Sequence, residues 1–124
     1  MAAEGGAIVT FIFTGEDGEV IPQNATHIIM HESVTAIPVR AFERHPNIVE
    51  VYCHVGVKKV GRYAFYECPG LRRVVMPGVK AIDEWAFYGC EAMTHVECDK
   101  LEIIGGAAFQ GCESLFSINL LPAI

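Results

Sequence analysis

The sequence predicts an α/β solenoid: a single right-handed coil with a parallel strand ladder on one side and short α or 3₁₀ turns on the other. Two observations carry this. Alanine-phenylalanine pairs recur at Ala41-Phe42, Ala64-Phe65, Ala86-Phe87 and Ala108-Phe109, so the phenylalanines have periods of 23, 22 and 22 residues. The apolar residues around each pair also keep one order, as in Ile82, Ala86, Phe87, Cys90, Met93, Val96 and Cys98. Self-similarity of this kind marks stacked units, each too small to bury its own apolar face.

The elements follow in order. Residues 1–31 read as a loose tail, a capping hairpin and a first strand. Ala7 to Thr14 alternates as a strand does, Gly15 to Gly18 is a turn, and Glu19-Val20-Ile21 is positioned to pair back. His27 to Met30 matches the later strands but has no Ala-Phe unit before it. A solenoid end needs such a cap. Four repeats then fill residues 32–124, at about 34–56, 57–78, 79–100 and 101–122. Within the second, Val74 and Met76 share one face of a strand. Pro77-Gly78 turns the chain. Val79, Ile82, Ala86, Phe87 and Cys90 then fall at helical or 3₁₀ intervals, in a segment too short to be a helix alone. The first repeat has His45 where the others have cysteine. Ala123-Ile124 opens what would be another repeat, with no cap. Either the natural chain continues, or this end is buried in a dimer.

Composition sets bounds on function. The chain has 124 residues, 52% apolar and 19% charged, which describes one small globular domain. No apolar run reaches the length of a membrane span, and the N-terminus lacks the basic start of a signal peptide. The net charge of −6 is uneven: −5 over residues 1–39, +5 over 40–80 and −6 over 81–124. In a solenoid, sequence order is axial order, so a positive belt lies between two negative ends. Such a belt is either an ordinary solvated surface, a dock for an acidic partner, or a device for staggered self-association. A net acidic chain lacks the broad basic footprint of a nucleic-acid binder.

Cys53 and Cys98 fall at inward strand positions, and Cys68, Cys90 and Cys112 form a row three residues after the phenylalanines. They read as small buried hydrophobes; the rival is a zinc or disulfide site, against which stands that no two of them have the CxxC spacing of a metal finger. Reduced thiols lean towards an intracellular protein. A cell-surface location is the alternative if the chain is a fragment. No serine-histidine-acid set, phosphate loop or paired-carboxylate motif emerges, so no catalytic residue, cofactor or metal is expected. A dyad of Cys53 with His31 or His54 fails on orientation, because the cysteine points to the core.

Two faces can carry function. On the concave strand face the outward rows are His27, Glu50, Arg73, His95, Ser117; then Ile29, Tyr52, Val75, Glu97, Asn119; then His31, His54, Pro77, Asp99, Leu121. Four of the five histidines fall there. They read as a polar face that happens to use histidine, as a pH-responsive or ligand-contacting patch, or as metal ligands. His31 and His54 share a row, without an obvious third ligand. On the turn side, Tyr63 with Tyr66 and Trp85 with Tyr88 occupy equivalent places in neighbouring repeats, beside Arg62. They either pack as structural ladder pairs or bind a protein. The candidate partner-binding residues are therefore Tyr63, Tyr66, Trp85, Tyr88, His27, His31, Tyr52, His54 and His95.

The run Val60-Gly61-Arg62-Tyr63-Ala64-Phe65-Tyr66-Glu67-Cys68-Pro69-Gly70-Leu71-Arg72-Arg73-Val74 resembles the BspA-like, or Treponema-type, leucine-rich repeats. The resemblance covers residues 34–122 and, in part, the strand at 27–31, and Ile82-Asp83 departs from its Ile-Gly pair. It implies a non-enzymatic scaffold that binds a protein partner. The alternatives are a self-assembling fragment that dimerises through its C-terminal end, and a truncated surface adhesin.

Overall fold

The computed structural model describes residues 6–116. Nine short strands appear among them: β1 (Thr10–Phe13), β2 (His27–Met30), β3 (Ala36–Ile37), β4 (Glu50–Tyr52), β5 (Lys59–Val60), β6 (Arg73–Val75), β7 (Ala81–Ile82), β8 (His95–Glu97) and β9 (Ile103–Ile104). They form two parallel sheets, ordered β1-β2-β4-β6-β8 and β3-β5-β7-β9. The register steps by one repeat: His27 faces Glu50, Glu50 faces Arg73, and Arg73 faces His95. Each full coil thus gives one strand to each sheet, and the chain is a parallel β-solenoid of about four turns.

The core is a set of vertical rows. Ile28, Val51, Val74 and Val96 form one; Met30, Cys53, Met76 and Cys98 form a second; Ile48, Leu71 and Met93 form a third, and all are buried. The phenylalanines make the tallest stack. Phe42–Phe65, Phe65–Phe87 and Phe87–Phe109 lie 5.1, 5.0 and 5.3 Å apart and nearly parallel. Phe13 of β1 closes the lower end, tilted 57° at 4.8 Å from Phe42. Ile104 belongs to the buried row of Ile37, Val60 and Ile82 but is 47% exposed, as no described coil lies beyond β9.

The predicted α or 3₁₀ turns are not present among the described residues. A ribbon of successive turns replaces them. The reason is backbone handedness: Arg40, Arg44, Tyr63, Glu67, Trp85, Gly89, Ala107 and Gly111 all have positive φ, which ends a right-handed helix at once. Alternate amides divide their bonds. Ala64, Tyr66 and Cys68 donate to carbonyls three residues back, while Tyr63, Phe65 and Glu67 donate to Glu84, Ala86 and Tyr88 of the next coil. The turn side is therefore stitched between coils, as the sheets are. Asp83, in place of glycine, keeps the turn, with the Ala86 amide on its carbonyl at 3.3 Å and the Glu84 amide on its carboxylate at 3.0 Å.

The capping hairpin also does not form. β1 pairs with β2 in parallel, Thr10 beside His27 and Phe13 beside Met30, so it is itself a rung of the ladder. Residues 19–21 form no strand. Glu19 turns its carboxylate back instead, accepting the amides of Thr14 at 3.0 Å and Gly15 at 2.7 Å. A side chain closes this loop where a backbone ladder was expected. The Ser117, Asn119 and Leu121 positions of the strand rows, and the open C-terminal end, lie outside the described residues.

Candidate functional site

The turn face is built by the repeat itself. Residues one period apart lie one above another, so Arg40, Tyr63, Trp85 and Ala107 make one column, and Glu43, Tyr66, Tyr88 and Gln110 the next. The four rings predicted to meet do so. Tyr63 stacks on Trp85 at 6.0 Å and Tyr66 on Tyr88 at 5.2 Å. Within each coil Tyr63 meets Tyr66 edge-on at 5.3 Å, and Trp85 meets Tyr88 at 4.9 Å. All four are half-buried. The cations over them are Arg40, 4.2 Å from the Tyr63 ring, and Arg44, 5.3 Å from Tyr66. The sequence reading passed over both, although the period alone puts Arg40 beneath Tyr63.

These arginines are themselves held. Arg40 pairs with Glu43 at 2.6 Å and Arg44 with Glu67 at 3.1 Å. At the other end of the ladder, Tyr88, Glu67, Pro69, Glu91 and Glu113 border an open hollow of about 320 Å³. The turn face thus carries three arginines over the first two repeats, two of them paired with Glu43 and Glu67, and only carboxylates over the last two, with the rings in the second and third.

The strand face gathers His27, His31, Tyr52, His54 and His95, but as separate contacts. His27 lies 3.9 Å from Glu50, which also accepts the Tyr52 hydroxyl. That hydrogen bond to a carboxylate holds the Tyr52 phenol above its ordinary value. Arg73 reaches Glu97 at 2.9 Å, while its Nε is buried without a partner. His95 meets Thr94 at 3.0 Å. His31 and His54 share a row, yet their rings do not converge. His54 Nε2 donates to the His31 carbonyl at 3.0 Å, and its Nδ1 accepts the Gly56 amide at 3.0 Å. Both ring nitrogens of His54 are thereby committed. Among the described residues no group of three His, Cys, Asp or Glu side chains is placed to hold a metal ion.

Cys68, Cys90 and Cys112 hydrogen-bond through their thiols to the carbonyls of Phe42, Phe65 and Phe87, at 3.0, 3.1 and 3.1 Å. Burial pushes the thiols of Cys53 and Cys68 up to about 12 and that of Cys98 up to about 11. Such thiols are poor nucleophiles at neutral pH. The contact with Cys112, then burial, pushes Cys90 up too, whereas the same contact holds Cys112 below its ordinary value.

A model of the BspA type leucine rich repeat region matches residues 22–124, in six copies. The chain belongs to the BspA-type leucine-rich-repeat family. Two solved structures that it resembles agree with this fold. A leucine rich cell surface protein from Faecalibacterium prausnitzii A2-165 is 21% identical with a TM-score of 0.54, over 80% of this chain and 33% of that one. The Leucine Rich Repeat protein of T. pallidum is 18% identical with a TM-score of 0.54, over 88% of this chain and 63% of that one. This leucine-rich-repeat chain therefore spans a third of the first structure and under two thirds of the second. No curated protein matches the sequence. No helix among the described residues is long and apolar enough to cross a membrane.

Proposed function

We propose that this leucine-rich-repeat chain is a non-enzymatic scaffold that captures a protein partner on its turn face, with Tyr63, Tyr66, Trp85 and Tyr88 as anchors. One observation carries the reading. Tyr63 and Trp85 stand at φ of 59° and 62°, where a bulky residue strains the backbone, while the parallel column relaxes to Gly89 and Gly111. Strained aromatics held half-exposed beside arginines have the composition of a binding hot spot.

The test is capture from an extract of the source cells by the immobilised chain, compared with a Trp85→Ala/Tyr88→Ala variant. The expected result is a defined protein bound by the first and lost by the second, with equal melting cooperativity. Equal capture by both removes the turn face from consideration.

A second reading places the contact on the strand face. Arg72, Arg73, Thr94, His95, Val49 and Glu50 line a hollow of about 280 Å³ there, and the orphaned Nε of Arg73 favours an acidic group nearby. Capture that survives the ring substitutions and is lost in Arg72→Ala supports this alternative.

A further inference from the structure

We infer that the turn face is self-complementary and binds a second copy of this chain, the two solenoids antiparallel, with a two-fold axis in the interface between the second and third repeats. The inference rests on the turn face being a binding surface and names a partner for it.

The argument starts from the vertical order of charge. The turn segments of the first two repeats hold Arg40, Arg44 and Arg62, two of them paired within the chain to Glu43 and Glu67. Those of the third and fourth repeats hold Asp83, Glu84, Glu91 and Glu113 and no lysine or arginine. Asp83 pairs with Lys59 at 3.8 Å, and Arg62, Glu84, Glu91 and Glu113 have no ion pair among the described residues. A face with one unpaired cation, Arg62, in the second repeat, unpaired carboxylates in the third and fourth, and rings in the middle favours an antiparallel copy over a parallel one.

Columns then fix the register. A two-fold axis perpendicular to the stack keeps each column on itself and exchanges the first repeat with the fourth and the second with the third. Arg62 then meets Glu84 of the other copy, two exposed residues of one column. Tyr63 meets Trp85, and Tyr66 meets Tyr88. The large Arg40 and Arg44 come opposite the small Ala107 and Gly111, beside the hollow lined by Glu91 and Glu113. Size and charge alternate together, as an isologous interface requires.

The test is sedimentation of the full chain over a concentration series, with Arg62→Glu, Glu84→Arg and an equimolar mixture of the two. The wild type is expected to dimerise with rising concentration. Each reversal sets like charges opposite each other twice per dimer and should weaken association about tenfold or more. In the mixture the carboxylate introduced at position 62 of one copy faces the guanidinium introduced at position 84 of the other. The native Glu84–Arg62 contact completes the other half, so dimer returns. A wild type that stays monomeric, reversals without effect, or a mixture that does not recover overturns the inference. Arg62→Gln and Glu84→Gln repeat the comparison without repulsion, should either reversal fail to fold. A monomeric wild type whose ring variant still loses a captured protein keeps the binding face and removes only the second copy.

Discussion

His45 hydrogen-bonds through Nε2 to the carbonyl of Pro22 at 2.8 Å, in the row where Cys68, Cys90 and Cys112 hydrogen-bond through their thiols to phenylalanine carbonyls. The coil below the first repeat has no Ala-Phe unit and so no phenylalanine carbonyl for this row, and the imidazole uses the carbonyl of Pro22 instead. Nδ1 accepts the Asn47 amide at 3.2 Å, which leaves the Nε2–H tautomer, and Asn47 ties itself to Gln23 at 2.7 Å. His45 is only 5% exposed. His45→Ala strands the Pro22 carbonyl and opens a cavity, and should cost about 2–4 kcal/mol. His45→Cys should recover little of it. Denaturant unfolding of both variants checks the order.

The phenylalanine stack predicts a gradient. Phe65 and Phe87 are fully buried between parallel neighbours, while Phe109 is half-buried with a ring on one described side only. Phe65→Ala should cost about 3–5 kcal/mol and Phe109→Ala less. Equal losses in urea titrations would show that stacking is not what sets the cost.

The cysteines predict a loss of stability in alkali. Cys53 and Cys68 titrate at about 12 and Cys98 at about 11 in the fold, against an ordinary 9.0. Between those values the folded chain keeps protons that the unfolded chain releases, so stability falls as pH rises and is fully present below about 9. The urea midpoint should therefore drop from pH 9 towards 11, less steeply in a Cys53→Ala/Cys68→Ala variant. In the native protein, maleimide should reach Cys112 first, since it is half-buried and its thiol is held low by Cys90.

Trp85→Gly separates strain from stacking. Glycine at φ 62° removes a backbone cost of about 1 kcal/mol, while the two lost ring contacts with Tyr63 and Tyr88 cost about 1–3 kcal/mol together, which leaves a small net loss. The thermal midpoint should move by only a few degrees. Partner capture should be lost. A large destabilisation with capture retained would make the ladder a structural device.

Much of the solenoid was legible because stacking demands the same apolar residue at the same place in every coil. Ile28, Val51, Val74 and Val96 announce their shared row by period alone, and the stacking of Tyr63 on Trp85 beside Tyr66 on Tyr88 follows from the same count. The turn ribbon was not legible. The three- and four-residue spacing of Val79, Ile82, Ala86 and Phe87 fits a helix equally well, and nothing in Tyr63, Glu67 or Trp85 as residue types signals positive φ. Glycine at 89 and 111 was the one local hint.

The amino-acid sequence by itself determined the repeat, its inward rows and its family, since these depend on which side chains recur. Only the tertiary structure decided where the backbone amides go. Glu19 closes a loop in place of a hairpin, alternate amides bond across coils in place of a helix, and His45 reaches the carbonyl of Pro22. The amide bonds and the His45 contact depend on partners supplied by another coil, and the Glu19 contact on how its own loop folds back, and none of these carries a mark in the local sequence.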